Sequence, residues 1–328
     1  MSEPLVSVVF ITYNHEKYVA KALESVLFQE TDFDYEIMVG EDCSTDETGN
    51  IVREYRDRYP DIIRIYPRDE NTGRPTLNVY ETTVACRGKY LAYLEGDDYW
   101  TDTKKLQKQV TFLEEHDEYI ACTHSCRMVD ENGEGIVNEE ILSVGGLYDW
   151  SGRFTFNDFE RSARWPGHYA TLVSRNIYLK PEHDYTILYR AHDFVDDGVI
   201  LTFLLMQGDI YRMDDEMSAW RYVRKTGAGN WNSISMTRDT KKDDCYLSQT
   251  LMKWLEGEKG LDDYAPVIAE KNFEYALSRF IKHPGRDNWQ FVRDMYKYGI
   301  SHVVLKDKRS TLFRYCMRTI RDKFMQGA

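Results

Sequence analysis

The first hundred residues alternate between two hydrophobic periods, and this alternation is the strongest constraint on the fold. Val6 to Thr12 is a nearly unbroken apolar run rich in β-branched residues, which predicts a strand buried on both faces. Glu16 to Phe28 then carries apolar residues at helical spacing. Further strands are predicted at Tyr35–Val39, Ile62–Tyr66 and Tyr90–Leu94, with helices between them. Repeated strand–helix–strand units predict an α/β fold with a mostly parallel sheet and helices on both faces.

Length and composition exclude several classes of protein. A chain of 328 residues can bury a large core, and its net charge of −13 argues against a nucleic-acid binder, which needs a basic face. No apolar run approaches the ~20 residues of a membrane span. The N-terminus lacks the basic and apolar regions of a secretory signal, and six scattered cysteines do not make a disulfide framework, so we expect a cytoplasmic protein.

The pattern changes in the second half of the chain. Strands are predicted at His168–Ser174, Ile210–Met213 and Ala219–Val223, and a helix at Val195–Met206. From about Arg238 onward the period is helical, so we predict an α/β domain at 1–225 and a helical region at 226–328. Lys306 to Met325 forms a basic amphipathic pattern. We favour packing of that segment against the protein or a homodimer partner. The alternative is that it lies on the inner face of a membrane.

Polar residues collect where three of the predicted strands end. Thr12-Tyr13-Asn14 ends the first strand, Glu41-Asp42 the second and Glu95-Gly96-Asp97-Asp98 the fourth. Ligands of open α/β sheets bind outside the carboxyl ends of the strands. A rim this acidic would repel a phosphate, so Asp97-Asp98 predicts a Mg²⁺ or Mn²⁺ site that forms around a bound diphosphate. The alternatives are a solvated turn for Asp97-Asp98 and a helix-entry residue for Asp42.

An ordered set of motifs resembles one known family. The motifs are Val6 to His15, Glu41 to Asp46, the Asn71-x-Gly73 turn, Gly88-Lys89-Tyr90 and Glu95 to Trp100. Together they resemble the inverting, nucleotide-sugar-dependent glycosyltransferases of family 2, which have the GT-A fold. The resemblance covers residues 5 to about 105. It implies a Rossmann-like GT-A domain at 1–225, followed by the helical C-terminal region.

The resemblance also implies roles for individual residues. Those expected to contact the nucleotide sugar are Thr12, Tyr13, Asn14, Glu41, Asp42, Arg74, Glu95, Asp97, Arg224 and Lys225. Asp42 would accept a hydrogen bond from the base, taken to be uracil. Asp98 would bind the metal on the diphosphate, with Asp97 at the metal or the ribose. The donor would be a UDP-sugar, and the acceptor a glycan or a lipid-linked saccharide.

An inverting transfer needs a carboxylate on the acceptor side. The family places it at the start of a helix, eleven residues before the glycine that closes that helix. Counting back from Gly208 gives Asp197, which Asp196 precedes. We expect this pair to supply the catalytic base, and the alternative is that it only caps the helix.

The sequence departs from the family at one metal ligand. Many relatives have a histidine two residues after the arginine of the following strand, whereas Val223 follows Arg221 at that spacing. Valine cannot bind a metal, so the third ligand is unassigned. The next residues, Arg224 and Lys225, are expected at the diphosphate, with a solvated basic turn as the alternative. Trp165 and His168 are acceptor candidates because aromatic rings stack on sugars, with a packed turn as the alternative.

These expectations describe an inverting glycosyltransferase. Asp197 would deprotonate an acceptor hydroxyl, and a divalent metal would stabilise the leaving diphosphate. A second hypothesis is a catalytically idle subunit that binds a sugar nucleotide. A third is a nucleotidyltransferase, which would release pyrophosphate.

Overall fold

The chain divides into two compact units, Met1–Thr237 and Arg238–Ala328. The computed structural model describes residues 3–136, 150–156, 158, 166–180, 183–194, 197–223, 239–255 and 264–297. The first unit contains the β-sheet, and the described part of the second is helical. The predicted division after residue 225, into a catalytic domain and an appended region, stays a prediction.

The first unit is built on a single nine-stranded sheet. Its strands are β1 (Val6–Thr12), β2 (Tyr35–Glu41), β3 (Ile63–Ile65), β4 (Tyr90–Glu95), β5 (Tyr99–Trp100), β6 (Tyr119–Val129), β7 (Gly152–Phe154), β8 (Val173–Arg175) and β9 (Asp209–Arg221). They lie in the order β3-β2-β1-β4-β8-β6-β9-β5, with β7 paired to β9. Strands β3, β2, β1 and β4 are parallel, and β8 runs antiparallel between β4 and β6. The predicted α/β fold with a mostly parallel sheet is confirmed.

Helices flank this sheet and cover the strands that carry the polar ends. In the first unit they are α1 (Val19–Leu27), α2 (Thr48–Arg58), α3 (Pro75–Val84), α4 (Lys105–Glu115), α5 (Ile187–Ala191) and α6 (Asp197–Leu205). Short 3₁₀ turns occupy Tyr169–Thr171 and Ile177–Leu179. All seven residues of β1 are buried, as its sequence predicts. Each large apolar side chain buried in this way contributes roughly 1.5–3 kcal/mol.

The second unit is helical throughout the part that the structure describes. It contains α7 (Thr240–Leu255), α8 (Tyr264–Lys282) and α9 (Arg286–Met295). Phe273 and Phe291 are buried in its separate hydrophobic core. Within the described ranges of both units, no helix has the length and hydrophobicity required to cross a lipid bilayer.

Two predictions in the second half of the chain are wrong in detail. Ile210–Met213 and Ala219–Val223 fall on one strand, β9, which ends at Arg221; its pairing with β6 is irregular after Arg212 and resumes at Glu216. The predicted strand His168–Ser174 is a 3₁₀ turn followed by the short strand β8. The helix predicted at Val195–Met206 is present from Asp197.

Candidate active site

The three polar strand ends lie side by side, as the sequence predicts. Parallel pairing places Thr12 opposite Glu41 and Ile11 opposite Glu95. The Asp42 amide donates to the Thr12 carbonyl at 3.1 Å, and the Gly96 amide donates to the Ile11 carbonyl at 2.8 Å. A Cβ at position 96 would lie 2.4 Å from Thr12 Oγ1, so only glycine allows this approach. The ends of β1, β2 and β4 therefore form one polar rim.

The turn after β1 is fixed by side chains from the loop that follows β2. Asn14 has a φ of 56°, a left-handed conformation that asparagine tolerates better than most residues. Its amide donates to Ser44 Oγ at 3.0 Å, and its side-chain Oδ1 accepts from the Thr45 amide at 2.8 Å. Thr12 is buried, and Tyr13 is 36% exposed. The ring of Tyr13 is thus held on the rim with a surface available for contact.

Asp42 is buried and linked to the turn at residues 71–73. Its Oδ1 accepts from the Thr72 amide at 3.1 Å, and its Oδ2 accepts from Thr72 Oγ1 at 2.9 Å and from Asn71 Nδ2 at 3.1 Å. The Arg68 guanidinium lies 3.2 Å from Oδ1. Burial nevertheless raises the pKa of Asp42. An ionised carboxylate accepts about four hydrogen bonds, so roughly one acceptor position remains for a ligand.

Two residues assigned to the nucleotide sugar have partners within the protein. Glu41 Oε1 accepts from the Ser44 amide at 2.7 Å and so fixes the loop after β2. Arg74 pairs with Asp193 at 2.7 Å and donates to the Tyr189 carbonyl at 2.6 Å. In this structure both residues position loops around the rim, and their contact with a nucleotide stays a prediction.

Asp98 is the most unusual carboxylate of the rim. It is 2% exposed, and its Oδ1 accepts from the Arg221 amide at 2.7 Å. Its Oδ2 is also buried and has no hydrogen-bond partner among the described residues. Burial first, and the neighbouring Asp97 second, raise the pKa of Asp98 well above its ordinary value. A buried carboxylate oxygen without a donor is costly, and a cation would remove that cost.

Arg221 holds the loop that carries both aspartates. Its Nε donates to the Asp97 carbonyl at 2.9 Å, and a terminal nitrogen donates to the Asp130 carbonyl at 2.7 Å. The guanidinium lies 4.3 Å from the centre of the Tyr18 ring. The sequence analysis used Arg221 only as the reference position for the missing histidine and did not predict this positioning role.

His168, predicted at the acceptor, lies beside Asp98. Its Nδ1 is 3.6 Å from Asp98 Oδ2, and its ring stacks on Trp220 with centroids 4.8 Å apart. Burial lowers the pKa of His168 to about 3, so the imidazole is neutral. Glu95, Asp98 and His168 each offer a ligand atom within 4.8 Å of the others. Sequence reasoning did not anticipate that His168 joins the carboxylates, and an acceptor role for it stays a prediction.

Asp197 is the first residue of α6, where the sequence places the base. The residue is accessible to solvent, and desolvation by surrounding protein raises the pKa of its carboxyl to about 6. The preceding segment is tied to the start of α3, because Thr76 Oγ1 donates to the His192 carbonyl at 2.7 Å and the Thr76 amide to the Asp193 carbonyl at 3.3 Å. A reachable, poorly hydrated carboxylate is more basic than an ordinary aspartate, which suits a general base.

Several predicted residues lie outside the described residues. They are Asp196, Trp165, Arg224, Lys225 and the C-terminal segment 306–328. Their assigned roles stay predictions. Val223, which directly precedes Arg224, is among the described residues.

The α/β sheet and its acidic rim are those of a glycosyltransferase with the GT-A fold. A family model described as Glycosyl transferase family 2 matches residues 7–180, which is more than half of the chain. The chain therefore belongs to glycosyl transferase family 2, and the family resemblance seen in the sequence is confirmed.

Individual relatives agree with this membership. A protein of Mycobacterium tuberculosis described as Uncharacterized protein Rv1520 is 44% identical over 127 residues, which are 39% of this chain and 36% of that protein. The poly(ribitol-phosphate) beta-N-acetylglucosaminyltransferase TarS of Staphylococcus aureus is 30% identical over 133 residues, which are 40% of this chain and 22% of TarS. The matched stretches thus span well under half of these relatives.

Solved structures show the same fold. The crystal structure of S. aureus TarS 1–349 in complex with UDP-GlcNAc has a TM-score of 0.65 at 20% identity, covering 91% of this chain and 81% of that one. The mannosyltransferase PcManGT from Pyrobaculum calidifontis, in complex with GDP-Man and Mn²⁺, has a TM-score of 0.50 at 16% identity, covering 94% of this chain and 89% of that one. At these identities the likeness shows the fold.

Proposed function

We propose that this protein is an inverting glycosyltransferase that moves a sugar from a UDP-sugar to a hydroxyl of a glycan or lipid-linked acceptor. The observation that carries the proposal is the buried Oδ2 of Asp98, which has no hydrogen-bond partner among the described residues and lies on the rim beside Glu95 and His168. Family membership supports the reaction class. The UDP-GlcNAc complex of TarS, which shares the fold, supports uridine as the base.

The rim residues fit a divalent cation. Carboxylate oxygens and one imidazole form a donor set that accommodates Mn²⁺ or Mg²⁺. Asp98 would hold the ion, with Asp97 next to it at the ion or at the ribose. When bound there, the ion neutralises charge on the leaving diphosphate. A neighbour of the same fold was solved with GDP-Man and Mn²⁺, which supports this cofactor class.

The nucleotide would lie across the ends of β1 and β2. Thr12, Tyr13 and Asn14 would line its pocket, with the exposed Tyr13 ring offering a stacking surface. Asp42 has three hydrogen bonds from protein donors, so it can accept one more from the uracil N–H. Glu41 and Arg74 act on the donor by fixing the loops around it. Arg224 and Lys225 are proposed as cations near the diphosphate.

Asp197 is the proposed general base. Its carboxylate takes the proton of the acceptor hydroxyl as that oxygen bonds to the anomeric carbon, and the bond from this carbon to the diphosphate oxygen breaks. The pKa of about 6 leaves most of the carboxyl ionised at neutral pH. Removing a positioned general base typically lowers the rate ~10²–10⁴-fold. Asp196 would support Asp197, and Trp165 would contact the acceptor.

The C-terminal segment 306–328 has two proposed positions. We favour packing against the protein or a homodimer partner, with a cytoplasmic membrane surface as the rival. Co-sedimentation with anionic vesicles, using the chain with and without residues 306–328, distinguishes them. Stronger sedimentation of the full chain would contradict packing.

The direct test of function is donor hydrolysis. The full chain is incubated with UDP-GlcNAc and Mn²⁺, and released UDP is measured. We expect Mn²⁺-dependent release that Asp98→Asn abolishes and that Asp214→Asn, an exposed aspartate on β9, retains. Release of pyrophosphate from UTP and a sugar 1-phosphate, with no release of UDP from UDP-GlcNAc, would instead identify a nucleotidyltransferase. Tight UDP binding without turnover on any acceptor would identify an idle binding subunit, and faster release from GDP-mannose would contradict uridine.

A further inference from the structure

Two potential ligand atoms on the rim, one of them buried, lie close together without a hydrogen bond. His168 Nδ1 and Asp98 Oδ2 lie 3.6 Å apart, longer than the usual 2.7–3.2 Å of an N–H···O hydrogen bond. Oδ2 has no other partner among the described residues. A direct hydrogen bond therefore does not explain why the two atoms face each other.

We propose that His168 is a direct ligand of the divalent metal, together with Asp98. It would supply the imidazole that Val223 cannot provide at the position where many relatives have a histidine. This inference rests on the proposed function, since it concerns the metal that the donor diphosphate brings to the rim. It assigns to His168 a role different from the acceptor contact predicted from sequence.

The distances fit a shared ion. Two ligands that are each ~2.1 Å from one ion lie at most ~4.2 Å apart. The 3.6 Å between His168 Nδ1 and Asp98 Oδ2 is within this limit. Glu95 offers a ligand atom within 4.8 Å of the other two, so it lies near enough to bind the ion directly or through a water molecule. Mg²⁺ and similar ions commonly keep several waters in protein sites.

The surroundings of His168 prepare it for metal binding. Its ring stacks on Trp220 at an interplanar angle of 27°, which fixes the ring plane. The Ala170 amide approaches Nδ1 at 3.3 Å, so this nitrogen carries the lone pair and the proton lies on Nε2. That contact is long and weak, so a metal can replace it.

One other histidine on the rim is a rival. His15 Nε2 lies 3.9 Å from Asp97 Oδ2, and His15 Nδ1 lies 3.3 Å from Thr12 Oγ1. Asp97 is less buried than Asp98, and its carboxylate lies outside the cluster of candidate ligands found among the described residues. His15→Gln is therefore the matched control for His168→Gln.

Pulsed EPR of Mn²⁺ tests the inference without relying on turnover. The full chain is labelled with ¹⁵N-histidine and mixed with Mn²⁺ and UDP, and the nitrogen coupling to Mn²⁺ is recorded. We expect a directly bound ¹⁵N in the wild type and in His15→Gln, and its loss in His168→Gln. Mn²⁺ titration in the presence of UDP should show at least ~10-fold weaker binding for His168→Gln.

The outcomes separate this inference from the proposed function. Asp98-dependent Mn²⁺ binding without any histidine nitrogen coupling would overturn the role of His168 alone. Coupling that disappears in His15→Gln but persists in His168→Gln would do the same. Failure of the wild type to bind Mn²⁺ with UDP would overturn the proposed metal-dependent function as well. The labelled wild-type spectrum needs no substitution, so a folding defect in His168→Gln leaves the test intact.

Discussion

Replacing the buried lysine at the start of α4 should stabilise the protein at neutral pH. Lys105 is fully buried, and its Nζ has no hydrogen-bond partner among the described residues. Burial lowers its pKa from 10.5 to about 7. Its Nζ lies 4.1 Å from the centre of the Trp100 ring, and Trp100 Nε1 in turn donates to the Ala170 carbonyl at 3.0 Å, two residues from His168.

The pKa shift sets the magnitude. A difference of ~3.5 pKa units at ~1.36 kcal/mol each gives a cost of at most ~5 kcal/mol for charging Lys105 in the folded state. Contact of the ammonium with the Trp100 ring offsets ~2 kcal/mol of this. Methionine fills a similar volume without a charge. We therefore expect Lys105→Met to raise the free energy of unfolding at pH 7 by ~3 kcal/mol.

The pH dependence gives the sign of the effect. The folded-state pKa of Lys105 is below its unfolded value, so the unfolded chain binds the extra proton between about pH 7 and pH 10. The contribution of Lys105 to the wild-type free energy of unfolding therefore rises with pH across that window, and it is lowest at and below pH 7. The advantage of Lys105→Met should shrink accordingly toward pH 10.

Urea unfolding of the full chain, monitored by tryptophan fluorescence at pH 7, 8, 9 and 10, measures both the gain in the free energy of unfolding and its dependence on pH. Lys104→Met is the matched control, because Lys104 is exposed on the preceding position and should change little. A destabilised Lys105→Met with the pH profile of the wild type would refute the reasoning, since it would mean that Lys105 is charged and favourably paired in the folded protein.

Three further substitutions test the rim. Asp197→Asn should lower transfer ~10²–10⁴-fold while UDP binding persists. Wild-type transfer should rise with pH through about 6, because only the ionised carboxylate can act as the proposed base. Near-normal turnover of the variant would remove Asp197 from the mechanism. Gly96→Ala should lower the free energy of unfolding in urea by ~1–3 kcal/mol, because the added Cβ would lie 2.4 Å from Thr12 Oγ1. Gly135→Ala is the control and should leave the free energy of unfolding unchanged, because its Cβ would meet nothing within 4 Å. Arg221→Gln removes the hydrogen bond from Arg221 Nε to the Asp97 carbonyl, so calorimetry should show at least ~10-fold weaker UDP binding in the presence of Mn²⁺. Unchanged affinity would show that the loop of Asp97 and Asp98 keeps its shape without this hydrogen bond.

The rim could be predicted from sequence because local signals determine it. Apolar runs predict β1, β2 and β4, and the carboxyl ends of parallel strands must meet at one edge. Thr12, Asp42 and Asp98 therefore converge without any knowledge of distant contacts. The helix α6 was also predicted from a local apolar pattern, at Val195–Met206, and Asp197 within it was singled out by the family resemblance. In each case the pattern and the candidate residues lie within a few positions of each other.

The remaining features depend on contacts between distant parts of the chain. His168 reaches Asp98 because β8 inserts antiparallel between β4 and β6, which no local pattern indicates. The pairing of Arg74 with Asp193 spans 119 residues. Strand β9 was predicted as two pieces because its central acidic residues are exposed. The strand is continuous because its pairing with β6 resumes at Glu216 after a local irregularity.

The position of the metal relative to Asp98 tests the central claim most directly. Crystals grown with Mn²⁺ and UDP should show an anomalous peak ~2.1–2.2 Å from Asp98 Oδ2 and in contact with the diphosphate oxygens. Ordered UDP with no anomalous density near Asp98, or a Mn²⁺ ion bound elsewhere on the rim, would contradict the claim that this buried carboxylate holds the cation.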